Sequence, residues 1–129
     1  MGSRLRILLD THTFLWLVQD RERIASVALA ELDGAENQVF YSAVASWEIA
    51  AKRAKGKLHF SGSPIAVARK FGLDELLISS VHSELAAELP PHHFDPFDRL
   101  LIAQAVTDGL VLATRDPAMA RYGIRVLKV

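Results

Sequence analysis

The chain has 129 residues, half of them hydrophobic and 23% charged, a composition that suits a folded domain with one sizeable core and excludes a disordered segment. Fifteen basic side chains balance fifteen acidic ones, so net charge gives no signal for a nucleic-acid partner, and any phosphate contact has to come from a local patch. The lack of cysteine excludes disulfides, thiolate metal sites and thiol nucleophiles, and no apolar stretch nears the roughly 18 residues of a membrane span.

In chain order, residues 5–9 (Leu-Arg-Ile-Leu-Leu) form a short apolar run closed by a polar cluster, which suits a buried strand. The run is too short for a signal peptide and leads straight into Asp10, so a soluble, cytoplasmic protein is expected. Met1-Gly2-Ser3 is compatible with a cloning remnant and carries no structural reading. Asp10-Thr11-His12-Thr13 offers a helix start, and a second helix is expected over residues 26–32, capped by Ser26 and stopped near Gly34. Residues 38–41 read as a brief strand. Ser42 then caps a helix to about Lys55, with Gly56 as its stop. Ser63-Pro64 opens a helix to about Phe71. Residues 76–78 (Leu-Leu-Ile) are a third strand candidate, and Ser80 begins a helix that ends ahead of Pro90-Pro91. Asp95-Pro96 opens a helix to about Asp108, residues 110–113 make a fourth strand, Asp116-Pro117 starts a short helix, and residues 125–128 form a last strand.

Strands alternating with helices, with no repeat and no linker, predict one α/β domain over residues 1–129: a mainly parallel sheet of about four to five strands with helices on both faces. In such sheets ligands bind beyond the carboxyl ends of the strands, where the strand order reverses. Asp10 and Asp116 both fall just past a predicted strand's carboxyl end.

Four acids stand at the ends or on the apolar faces of hydrophobic segments: Asp10, Glu48, Asp98 and Asp116. Each has an ordinary reading. Asp10 can cap the first helix, Glu48 can pair with Lys52 one turn on, and Asp116 can open the helix that Pro117 begins. Asp98 shares a helix face with Leu101, Ile102 and Ala105, while Asp95 already serves as cap, so a second acid on that buried face points to function. Taken jointly, several carboxylates converging in one pocket could not all ionise unaided. Hard oxygen ligands without cysteine or a paired histidine motif suit Mg²⁺ or Mn²⁺. The chemistry that uses them is phosphodiester cleavage by metal-activated water.

The segments Leu8-Leu9-Asp10-Thr11-His12, Ser42-Ala43-Val44-Ala45-Ser46-Trp47-Glu48-Ile49, His93-Phe94-Asp95-Pro96-Phe97-Asp98-Arg99-Leu100-Leu101-Ile102-Ala103-Gln104-Ala105 and Thr114-Arg115-Asp116 resemble the successive motifs of a PIN-domain ribonuclease. They are most similar to the VapC toxins of type II toxin–antitoxin systems, and the resemblance runs from Arg4 to the last strand. It implies a PIN-like three-layer α/β sandwich and an endoribonuclease that inhibits translation. It also implies homodimerisation and neutralisation by a VapB-type antitoxin. By this resemblance Asp10, Glu48, Asp98 and Asp116 hold Mg²⁺ or Mn²⁺ and orient the attacking water, with Thr114 in a supporting position near the metal. Phe94 stands where related chains often carry a basic residue.

Lys52, Arg53, Lys55 and Lys57 end the Glu48 helix, either as a solvated helix terminus or as phosphate-steering cations. Arg99 is read either as a phosphate contact or as half of a surface ion pair. Lys52, Arg53 and Arg99 are the candidate RNA contacts. His12, His92 and His93 fit no zinc spacing and are left outside the metal site. Phe14, Trp16 and Trp47 are expected as core or dimer-contact aromatics. A catalytically silent PIN-like protein-binding module is the competing reading. A haloacid-dehalogenase-type phosphatase is disfavoured because it needs Asp-x-Asp where His12 stands, and a receiver domain because Ser79-Ser80 follow the third strand.

Overall fold

A computed structural model describes residues 4–129; Met1-Gly2-Ser3, read as a cloning remnant, lies outside the described residues. Five parallel strands form one sheet in the order β3-β2-β1-β4-β5: β1 (Arg6–Leu9), β2 (Gln38–Ser42), β3 (Asp74–Leu76), β4 (Val111–Thr114) and β5 (Val126–Lys128). The helices are α1 (Thr11–Gln19), α2 (Ser26–Asp33), α3 (Ala43–Ala54), α4 (Pro64–Lys70), α5 (Ser80–Glu88) and α6 (Pro96–Asp108), with short 3₁₀ turns at Arg21–Arg23 and Met119–Tyr122. The expected α/β sandwich with a parallel sheet is the observed architecture.

Alternation along the strands divides the core in two. Ile7 and Leu9, Val39 and Tyr41, and Val111 and Ala113 point to one face, where they meet Phe14 and Leu17 of α1, Ala28 and Leu32 of α2, and Ile49 of α3. The intervening Leu8, Phe40 and Leu112 point to the other face, against Leu101, Ile102 and Ala105 of α6 and Met119. The central strands are thus apolar on both faces, as a covered parallel sheet requires. α5 packs on the outside of α6.

Three local expectations need correction. The third strand lies at Asp74–Leu76, and Leu77 and Ile78 follow it, exposed. β3 is an edge strand, so polar side chains suit it. Asp74 accepts from Gln38 Nε2 at 3.0 Å, and Glu75 is paired with Arg69. Ser26 is already inside α2, whose cap position is Ala25 and has no side-chain cap bond. Asp116-Pro117 opens a turn, and regular structure resumes only in the 3₁₀ turn at Met119.

β1 is the switch point of the sheet. The chain runs from it toward β2 and β3 on one side, while β4 and β5 lie on the other. Asp10 N donates to Ala113 O at 3.1 Å, which ties the carboxyl ends of β1 and β4 together. Asp10 and Asp116 leave the sheet on either side of that seam.

Candidate metal centre

Asp10 has its expected capping role and a second bond across the sheet. Its Oδ1 caps α1 by accepting from Thr13 N at 2.8 Å, and its Oδ2 accepts from Thr114 Oγ1 at 2.6 Å, with the residue only 7% exposed. The Thr114 hydroxyl also accepts from Asp116 N at 3.1 Å, so it couples the acid after β1 to the acid after β4. The Asp116 carboxylate is held by Ala118 N, which donates to its Oδ1 at 2.9 Å.

Asp98 sits in the first turn of α6. Asp95 is the cap, its Oδ1 accepting from Asp98 N at 3.0 Å, and the Asp98 side chain is left free to face the sheet's carboxyl edge. Burial, and then the neighbouring charges of Asp95, Glu48 and Asp10, push the Asp98 carboxyl up from its ordinary 3.8 to about 7, with His93 pulling in the opposite direction. The Asp98 side chain therefore feels all three of these acids.

Glu48 is 3% exposed on α3. Its Oε2 accepts from Lys52 Nζ at 2.5 Å, the expected pair one turn apart. Its Oε1 is buried with no hydrogen-bond partner among the described residues. A buried acceptor without a donor is uncommon and calls for an explanation. Burial pulls the Lys52 ammonium down, but the hydrogen bond and charge of Glu48, with Asp95 and Asp98, outweigh it and hold the group above its ordinary value.

Among the described residues, His93, Asp98 and Asp116 form a group whose ligand-type atoms all lie within 4.8 Å of one another. His93 Nε2 is 3.0 Å from Asp98 Oδ2 and 2.9 Å from Asp116 Oδ2. The sequence reading left His93 out of the metal site, and the structure brings its ring into contact with two of the acids. A loop histidine owes such a position to a partner 23 residues away, and spacing along the chain carries no trace of it. Asp10 joins this group through Thr114, and Glu48 through the charge it imposes on Asp98. The oxygen-rich donor set and the orphaned Glu48 Oε1 both fit a small, hard divalent cation. Beside these acids a cleft of about 310 Å³ is lined by Asp10, His12, Trp16, Arg115 and Asp116.

The candidate phosphate contacts fare unevenly. Arg99 donates from Nε to Ala86 O at 3.0 Å, from Nη1 to Pro90 O at 3.2 Å and His93 O at 2.9 Å, and from Nη2 to Leu89 O at 2.7 Å. Its fork clamps the end of α5 and the following loop, and no carboxylate pairs with it among the described residues. Arg53 Nη1 ties the end of α3 to Phe60 O at 2.9 Å and Gly62 O at 2.8 Å. Lys52 remains beside the acids, with its side chain 37% exposed. Among the aromatics, Phe14 is buried, whereas Arg115 stacks on Trp16 with 4.3 Å between guanidinium and ring centre. Trp47 is 54% exposed and lies edge-on to Phe97 at 4.8 Å, so it is not a core residue. Phe94 is almost fully exposed.

The PIN domain family profile matches residues 7–125. Similar folds include the VapBC2 complex of Rickettsia felis bound to a promoter DNA fragment, at 14% identity and a TM-score of 0.70, covering 96% of this chain and 98% of that one. VapBC-1 of nontypeable Haemophilus influenzae matches at 13% identity and a TM-score of 0.69 over the same shares of the two chains, 96% and 98%. DNA-bound VapBC of Salmonella typhimurium matches at 18% identity and a TM-score of 0.66, again over 96% and 98%. No curated protein matches the chain in sequence.

Proposed function

This chain belongs to the PIN-domain family, and from that premise we propose that it is a Mg²⁺- or Mn²⁺-dependent endoribonuclease, a VapC-like toxin of the cytoplasm that inhibits translation by hydrolysing RNA. The observation that carries the reading is the convergence of Asp98 and Asp116 within one donor's reach, with Asp10 and the unpartnered Glu48 Oε1 beside them at the switch point of the sheet.

In this reading Asp10, Asp98 and Asp116 present carboxylate oxygens to the cation, and Glu48 completes the set. A bound divalent ion supplies Lewis acidity, lowering the pKa of water and stabilising charge on the phosphate. Glu48 Oε1, having no other donor, accepts a hydrogen bond from the attacking water and orients it. Thr114 keeps Asp10 Oδ2 turned toward the site. Lys52, with its side chain partly in solvent, is the cation available to a phosphate; Arg53 and Arg99 are spent on backbone carbonyls.

Similar folds named above are VapBC assemblies, which supports a VapB-type antitoxin as partner; a homodimer is part of the same proposal. The exposed apolar groove formed by Trp47, Ala86, Phe94 and Leu100 supports a protein-binding surface on this chain. No helix is long and apolar enough to cross a membrane among the described residues.

The test is RNA cleavage by the purified chain with Mg²⁺ or Mn²⁺ and with a chelator. Cleavage that needs the metal and vanishes in folded Asp10→Asn and Asp98→Asn variants is expected. A folded wild-type chain that leaves RNA intact in both metals would favour the silent protein-binding module instead.

A further inference from the structure

We propose that His93 is a positioning residue that holds Asp98 and Asp116 through a proton on Nε2, and not the metal ligand that its proximity to them suggests. The inference rests on reading the acids as a divalent-cation centre. The tautomer decides the matter. Asp95 N donates to His93 Nδ1 at 3.1 Å, so Nδ1 accepts and carries no proton. A ring whose Nδ1 accepts carries its proton on Nε2. That nitrogen lies 3.0 Å from Asp98 Oδ2 and 2.9 Å from Asp116 Oδ2, so one N–H is shared by two carboxylates. A nitrogen bearing a proton has no lone pair for a cation, and a second proton at Nδ1 would face the Asp95 N–H head-on.

The rest of the residue is fixed to match. His93 N donates to Tyr122 Oη at 2.8 Å, and Tyr122 Oη in turn donates to Pro90 O at 2.6 Å. His93 O accepts from Arg99 Nη1 at 2.9 Å, and the ring is only 15% exposed. Two carboxylates sharing a site repel each other, and a donor between them at Asp98 Oδ2 and Asp116 Oδ2 offsets that repulsion. Outer-shell donors of this kind typically set metal affinity by about ten- to a hundredfold.

Three measurements on the full chain test this. In the metal-free protein, nitrogen-15 spectra of the histidines are expected to show Nδ1 unprotonated and Nε2 protonated at His93; a proton on Nδ1 overturns the proposal. In Mn²⁺ titrations followed by electron paramagnetic resonance, His93→Ala is expected to bind about ten- to a hundredfold more weakly. His93→Gln, whose amide can donate to the same oxygens, should recover most of that loss. Unchanged Mn²⁺ affinity in a folded His93→Ala, or no recovery in a folded His93→Gln, overturns the positioning role. In the wild-type Mn²⁺ complex no nitrogen should be bound directly to the ion, and pulsed resonance detecting a coordinated nitrogen also overturns it. If the wild-type chain takes up no Mn²⁺, the cation-centre reading falls, and the donor assignment then stands or falls on the nitrogen spectrum alone.

Discussion

The two walls of the acidic site are built differently. On the sheet side, each Asp10 oxygen already carries one bond to the fold: one caps α1, the other accepts from Thr114, and that threonine is itself bonded to Asp116 N. On the helix side, Glu48 has a buried oxygen with no donor among the described residues, and Asp98 has its proton affinity raised by burial and then by the surrounding acids. The sheet wall's carboxylate supports the fold as well as the site, whereas the helix wall's carboxylates carry little of the fold. Substitutions on the two sides should therefore separate activity from stability.

The largest effect is expected on the helix wall. Asp98→Asn should reduce metal-dependent RNA cleavage by at least about a hundredfold, the scale of losing one preorganised electrostatic group, with circular dichroism unchanged. An active Asp98→Asn would break the comparison at once. On the sheet wall, Asp10→Ala should abolish cleavage as well but also destabilise the protein. It loses a helix cap, typically about 1 kcal/mol, and leaves the buried Thr114 hydroxyl only the weak acceptor Met119 Sδ at 3.3 Å, about 1 kcal/mol more. Urea unfolding would read this, and equal stability of the Asp10→Ala and Asp98→Asn proteins would remove the distinction between the walls.

Proton linkage gives a smaller effect with a definite sign. The Asp98 carboxyl is raised to about 7 from 3.8, so between these values the folded chain binds more protons than the unfolded one. Stability from this group therefore falls as pH rises through that window. Metal-free Asp98→Asn should melt higher than wild type at pH 8, with the difference shrinking toward pH 5. A difference that stays constant with pH would exclude Asp98 as its source. The smallest expected change is a rise in the wild-type melting temperature on adding millimolar Mg²⁺ or Mn²⁺, by binding linkage. It should be absent in Asp98→Asn, and a wild-type midpoint that does not move would count against a preformed centre.

Much of this was legible from residue order, because the features concerned are local. Ser63-Pro64, Asp95-Pro96 and the glycine after Asp108 mark helix ends through backbone chemistry that needs no tertiary partner, and Gly109 ends α6 in the left-handed region at φ 66°. Asp98 stood out because an acid on an apolar stripe violates a local pattern. What could not be read depends on contacts across space. β3 is polar because it is an edge, a property of sheet order and not of its own three residues. Arg99 sits beside Asp98 in sequence and looks available to phosphate until α5 closes over it. His93 acquires its place only when the turn after β4 brings Asp116 to the start of α6. Glu48 kept its ordinary pairing with Lys52, and its second oxygen became informative only once burial was known.

The Arg99 clamp has a mechanical consequence. Asp98 and Arg99 are successive residues on one turn of α6, and Arg99 grips the carbonyl of His93 together with the last carbonyls of α5. Any tilt or slide of the α6 start therefore carries the histidine loop with it. The acid and the imidazole keep their spacing by riding on a common mount, so thermal breathing between α6 and the sheet alters the gap toward Asp10 before it alters the one between His93 and Asp98.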